Sequence, residues 1–134
     1  MNKFALTLGA LAVAVAATGC SRDALLTQTA PADCRNGMLA DWHGHKTLYT
    51  LDKDGKDQSS CNEYCATVWP PLRATAGDKP VAGFTTFKRA DGTYQWAYNG
   101  KPVYTFAKDS NTGDKTGDAV SGPYGTWTAL KCPM

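Results

Sequence analysis

The sequence predicts a mainly β fold: a small antiparallel domain of meanders and hairpins, made of two internal repeats, with one short helix near residues 61–67 and disulfide staples. Three observations predict it. Short apolar runs alternate with Gly, Asn and Asp turns. One such run returns about 55 residues later. Four cysteines remain for pairing once the N-terminal one is set aside.

The repeat is read directly. Gly44-His45-Lys46-Thr47-Leu48-Tyr49-Thr50-Leu51-Asp52-Lys53-Asp54 returns as Gly100-Lys101-Pro102-Val103-Tyr104-Thr105-Phe106-Ala107-Lys108-Asp109, one residue shorter before its Tyr. Upstream, Trp42-His43-Gly44 matches Tyr98-Asn99-Gly100; downstream, Trp69-Pro70-Pro71-Leu72 matches Trp127-Thr128-Ala129-Leu130. Each copy reads as a hairpin. Met38–Trp42, a His43-Gly44 turn and Lys46–Leu51 form the first; Thr93–Tyr98, an Asn99-Gly100 turn and Lys101–Phe106 form the second. Asn-Gly favours a hairpin because both residues tolerate positive φ. Phe84–Arg89 joins the second hairpin through Ala90-Asp91-Gly92, and Gly125–Leu130 is a last strand. Cys61–Thr67 is the helix, with Ser60 and Glu63 spaced as a capping box and Trp69-Pro70-Pro71 ending it. The four tryptophans can close a core.

The N-terminus reads as an address. Lys3 precedes an apolar stretch from Phe4 to Ala17, too short to span a bilayer, which needs roughly 20 apolar residues. It fits the h-region of a secretory signal. Ala17-Thr18-Gly19-Cys20 resembles a lipobox, with Ala17 where Leu is usual. This divides the chain into a lipoprotein signal peptide (1–19), a lipidated tether (20–33) and a two-repeat β domain (34–134), with Cys20 the lipidation site and a membrane the first partner. Ser21 after the lipidated cysteine points to the outer membrane, facing the periplasm, by analogy with enteric lipoproteins.

An oxidising compartment makes disulfides of the remaining cysteines. Three pairings are open; Cys34–Cys132 and Cys61–Cys65 are favoured because domain termini often lie close together. A redox site of the thioredoxin kind wants two residues between its cysteines, and Cys61 and Cys65 have three. Covalent haem attachment wants a His where Ala66 stands.

The Tyr-x-aromatic-x-x-Asp pattern, the Cys61-x-x-x-Cys65-Ala-x-x-Trp-Pro-Pro-Leu run and the lipobox together resemble the secreted-repeat family of predicted bacterial lipoproteins, over roughly residues 36–130. Tyr104 to Asp109 fits the pattern; Tyr49 to Asp54 departs from it, with Leu51 at the aromatic position. The resemblance implies location and repeat architecture and supplies no catalytic residue.

The chemistry-bearing residues are few. Tyr49, Asp54, Tyr104 and Asp109 read as structural, each Tyr packed with a satisfied hydroxyl and each Asp capping a turn. A rival reading is a Ca²⁺ site among Asp52, Asp54 and Asp57, or among Asp109, Asn111, Asp114 and Asp118. His43 and His45 are the histidine pair, with no evident third metal ligand. Glu63 is the only glutamate, so acid–base catalysis has little to work with. The net charge is +2, and losing Lys3 with the signal leaves +1, too little for nucleic-acid binding. The expected function is therefore a membrane-anchored, non-enzymatic envelope module without cofactor, binding an envelope protein or wall polymer. The alternative is a redox or metal accessory using Cys61/Cys65 or His43/His45.

Overall fold

The structure, a computed structural model, describes residues 29–134; the signal segment, Cys20 and most of the tether lie outside the described residues. The fold is mainly β and antiparallel, with one short helix and two disulfides. In chain order the elements are β1 (Ala32–Arg35), β2 (Met38–Asp41), β3 (Tyr49–Leu51), α1 (Tyr64–Val68), β4 (Arg73–Ala74), β5 (Phe84–Lys88), β6 (Tyr94–Tyr98), β7 (Lys101–Pro102), β8 (Ser121–Gly122) and β9 (Gly125–Ala129). They form three sheets: β1-β2, β3-β9-β8, and β4-β6-β5 with β7 also on β6.

Each repeat opens with a strand pair, β1-β2 or β5-β6, and each second strand turns back on the segment that follows it. In the second repeat, Asn99 (φ 50°) and Gly100 (φ 83°) make the two-residue turn that sets Ala97 opposite Pro102. In the first, Ala40 faces Thr47, and the turn is longer. There the Asp41 carboxylate accepts the backbone N–H groups of His43, Gly44 and Lys46 at 3.0, 2.6 and 3.0 Å. The backbone pairing shifts the expected alignment by one residue. Trp42 N–H donates to Pro31 O as Asn99 N–H donates to Gly83 O, so Trp42 corresponds to Asn99 and Asp41 to Tyr98. Trp42 thus sits in a turn, 46% exposed, and does not help close the core.

The third segment of each repeat does not return to its own hairpin. Leu39 N–H donates to Leu130 O, Leu130 N–H to Leu48 O and Leu48 N–H to Leu39 O, at 2.9, 2.8 and 2.9 Å, a closed ring of three backbone bonds. A second ring links Trp96 to Leu72, Leu72 to Val103 and Val103 to Trp96, at 2.9, 3.0 and 3.1 Å. Leu130 belongs to the second repeat and Leu72 to the first. The two repeats have exchanged their last strands. The exchange continues outward: Asp52 N–H reaches Thr126 O, and Ala107 N–H reaches Val68 O. Neither hairpin saturates its backbone alone, and unpaired buried amides are costly.

Two apolar clusters follow from the alternation along these strands. Met38, Tyr49, Leu51, Cys61, Cys65, Trp69, Tyr104, Phe106, Trp127 and Ala129 fill one. The other holds Ala32, Leu39, Leu48, Phe84, Trp96 and Val103, with Leu72 and Leu130 packed against it. The side chains of both three-bond rings therefore share one cluster, and the repeated Tyr and Trp residues share the other.

Three local expectations are corrected. α1 begins at Tyr64, three residues later than expected, and the Ser60/Glu63 capping box does not form. Ser60 instead gives its N–H and hydroxyl to Asp54 Oδ1, both at 2.8 Å, and Glu63 has φ 53°, so the helix cannot start before it. β1 includes Ala32 and Asp33, expected in the tether, because Asn36 (φ 50°) and Gly37 (φ 80°) make a second tight Asn-Gly turn.

Cys34–Cys132 spans 98 positions and ties β1 to the chain end; Cys61–Cys65 spans four. In the chain-entropy picture the long loop is worth about 4.7 kcal/mol and the short one about 2 kcal/mol. Their surroundings differ in the opposite sense. Cys61 and Cys65 are both 0% exposed, whereas Cys34 lies at the surface. Under mild dithiothreitol, the folded protein should therefore release thiols at Cys34 and Cys132 first. Alkylation and peptide mapping check this; labelling of Cys61 and Cys65 at equal speed would contradict the assignment.

Candidate functional site

The repeated Tyr and Asp residues converge: both tyrosines and Asp109 are buried, and Asp54 is half-buried at the edge. Tyr49 and Tyr104 are each 0% exposed and face one another across an antiparallel bridge, exchanging N–H···O bonds of 2.8 and 3.0 Å. This bond pair lies where the two repeats meet, so it marks their pseudo-two-fold axis. Each hydroxyl then reaches the aspartate of the other repeat. Tyr49 donates to Asp109 Oδ2 and Tyr104 to Asp54 Oδ2, both at 2.6 Å.

The second oxygen of each aspartate holds the loop that follows it. Asp54 Oδ1 accepts Ser60, as described, and Asp109 Oδ1 accepts the N–H of Thr116 at 3.0 Å and its hydroxyl. Each carboxylate therefore spends both oxygens, one between repeats and one within its loop. Burial, then the bonded Asp109 carboxylate, pushes the Tyr49 phenol far above its ordinary value. Tyr104 is raised in the same way by burial and then by Asp54. Both phenols are thus held as proton donors.

The tryptophans obey the same symmetry. Trp69 and Trp127, one from each repeat, stack at 3.9 Å with planes 5° apart. Tyr49 meets Trp69 edge-on at 5.4 Å, and Tyr104 meets Trp127 edge-on at 5.1 Å. Phe106 extends the stack on Trp69 at 4.1 Å; Leu51 holds the matching motif position in the first repeat. Gly117 lies against this stack. A Cβ there would sit 2.6 Å from Trp69 Cη2, so only glycine lets the loop lie flat on the indole.

A buried arginine joins the cluster from the side. Arg89, 5% exposed, donates to Gln95 Oε1 (2.6 Å), Ser59 Oγ (3.0 Å), Cys61 O (2.6 Å) and Asn62 Oδ1 (3.2 Å). Ser59 in turn shares a 2.6 Å hydrogen bond with the Tyr104 hydroxyl. The equivalent of Gln95 in the first repeat is Met38, so this polar relay has no counterpart there. Sequence reasoning overlooked Arg89, because one arginine near a turn carries no motif.

The remaining candidates stay apart. Asp52 Oδ1 accepts Thr126 N–H, Asp114 Oδ2 accepts the N–H groups of Ser110 and Asn111, and Asp118 Oδ1 accepts Ala129 N–H. The bonds from Asn111 and then Ser110 hold the Asp114 carboxyl below its usual range. Asp114 thus binds its own loop, and Asp52 and Asp118 brace β9. Among the described residues no three His, Cys, Asp or Glu side chains gather where they could hold a metal. His43 is exposed, and His45 (φ 56°) is half-buried in the same turn.

At the surface, a groove of about 430 Å³ opens where the chain enters the domain, lined by Pro31, Trp42, Leu72, Arg73, Asp78 and Trp96 among others. Trp42 is the exposed large hydrophobic of its wall, beside exposed His43, Arg73 and Thr75.

Two predictions follow from the crossed bonds. In double-mutant cycles, Tyr49→Phe with Asp109→Asn and Tyr104→Phe with Asp54→Asn should couple by about 1–2 kcal/mol. Tyr49 with Asp54, and Tyr104 with Asp109, share no hydrogen bond and should couple far less. Urea melts measure this, and the reverse ranking would refute exchange between repeats. The raised phenols also fix a pH sign. A proton held more tightly in the folded state stabilises it fully below the ordinary phenol value of 10.0, and that stability is lost as pH rises above it. Melting temperature should fall above pH 10 in the wild type, and less steeply in either Tyr→Phe variant.

No curated protein and no solved structure matches the chain. Residues 85–131, which carry the second repeat from β5 to just beyond β9, match the model of a family described as a secreted repeat of unknown function.

Proposed function

We propose that this chain is a lipid-anchored lipoprotein of the bacterial cell envelope, whose domain binds a partner or supports an assembly without catalysing a reaction. The observation that carries the second half is the crossed pair of Tyr–Asp bonds. The tyrosines that recur in both repeats meet inside the core, and the recurring aspartates spend their oxygens on the tyrosine hydroxyls and on the loops that follow. Repeats that keep a motif for such contacts keep it for architecture.

The first half rests on Ala17-Thr18-Gly19-Cys20 after an apolar h-region, on two disulfides that suit an oxidising compartment, and on the match to a family described as secreted. With Ser21 next to Cys20, the anchored site is the outer membrane, facing the periplasm. The partner is an envelope protein or a wall polymer. β5 and β8 end their sheets, and a sheet edge is a surface on which an extended peptide adds as a further strand.

Cys20→Ser tests the anchor. The variant should leave the membrane fraction, and its N-terminus should carry no acyl group by mass spectrometry; a variant that stays acylated and membrane-bound refutes the lipobox. For the partner, a photo-crosslinking residue at Thr85 on β5 or Ser121 on β8 should give one discrete adduct in intact cells. If neither position crosslinks and the purified domain turns over an envelope substrate, the binding-module reading is lost.

A further inference from the structure

We infer that the face around Trp42 seats on the bilayer that holds the lipid on Cys20, with the Trp42 indole at the boundary between headgroups and acyl chains. The inference rests on the proposed lipid anchor and adds an orientation for the domain.

It starts from where the chain enters. Trp42 N–H is bonded to Pro31 O at 2.8 Å, so the exposed indole stands beside the point where the tether arrives. Thr29, Ala30 and Pro31, the first described residues, themselves line the groove that Trp42 walls. Nine positions separate Cys20 from Thr29. Even fully extended they reach only about 30 Å, so this face stays near the membrane.

The chemistry of the face suits an interface. Trp42 is 46% exposed, whereas Trp69, Trp96 and Trp127 are 4%, 5% and 1% exposed. Of the exposed large hydrophobics, only Trp42 lines the groove; Tyr64, Val120 and Met134 do not. Indole has an apolar body and an N–H donor, and it concentrates at headgroup level. Arg73 stands in the same groove, with Asp78 as its opposite charge, and Arg22 lies in the tether. One indole binds a free bilayer weakly. A short tether changes that, because it turns docking into an intramolecular event with an effective concentration on the order of millimolar.

The test uses the full-length lipidated protein in vesicles of phosphatidylethanolamine and phosphatidylglycerol, 3:1, with acyl chains brominated near the headgroup. Flotation reports the anchor and indole quenching reports the face. Quenching should come from one of the four tryptophans, disappear in Trp42→Phe, and be matched by protection of that indole from iodide. Trp42→Phe should float as the wild type does. If the wild type floats but bromine does not quench it and iodide does, the face points to water and the inference is overturned while the anchor stands. Quenching that survives in Trp42→Phe overturns it too. A wild type that does not float removes the anchor and the inference together.

Discussion

Everything in this domain is arranged about one pair of backbone hydrogen bonds, those between Tyr49 and Tyr104. Two residues that exchange N–H···O bonds across an antiparallel bridge are related by a local two-fold axis. Because the two tyrosines occupy the same position in two copies of one sequence, that local axis becomes the axis of the domain. Each side chain must then treat the other repeat as its own repeat is treated. The Tyr49 hydroxyl reaches Asp109 because the Tyr104 hydroxyl reaches Asp54, and Trp69 stacks on Trp127 because the axis passes between them.

The same constraint accounts for the exchange of last strands. A single hairpin such as β6-β7 is marginal in water and leaves half of its amides unpaired. The ring of Trp96, Leu72 and Val103 completes the second hairpin with a segment from the first repeat, and the ring of Leu39, Leu130 and Leu48 does the reverse. Neither repeat therefore has a self-sufficient core. The long Cys34–Cys132 bridge acts on the unfolded chain, where it keeps the two halves within reach of each other.

What the sequence made legible was local. Asn99-Gly100 announced its hairpin because its φ values are demanded by turn geometry, and the disulfide pairing followed from compartment and chain ends. Asn36-Gly37 carries the same turn signal, but β1 before it is short and buries only Ala32, so it reads as tether. The Ser60/Glu63 spacing imitated a capping box, but Asp54 competes for the Ser60 hydroxyl, and that contact is visible only once the loop has folded. Strand exchange was illegible for a deeper reason. Alternation says which residues share a face, but two copies of one pattern offer the same face to either partner. The Tyr-to-Asp spacing likewise says that each Tyr packs and each Asp caps the turn after it, and not whose carboxylate each hydroxyl meets.

Where the copies differ is as informative as where they agree. A symmetric core needs both tyrosines, both aspartates and both tryptophans, so divergence is confined to positions off the axis. Gln95 in one repeat is Met38 in the other, and with Gln95 comes the Arg89 relay that fixes Ser59, Cys61 and Asn62 beside the short disulfide. The first hairpin spends Asp41 on a longer turn, and the residue placed at the start of that turn is Trp42, where the second repeat has Asn99. The indole is 46% exposed. It stays out, beside Pro31, at the edge where the described chain enters the domain. Beyond Phe106 standing where the first repeat has Leu51, the asymmetry of the two copies is thus a polar brace on one side and an exposed aromatic on the other.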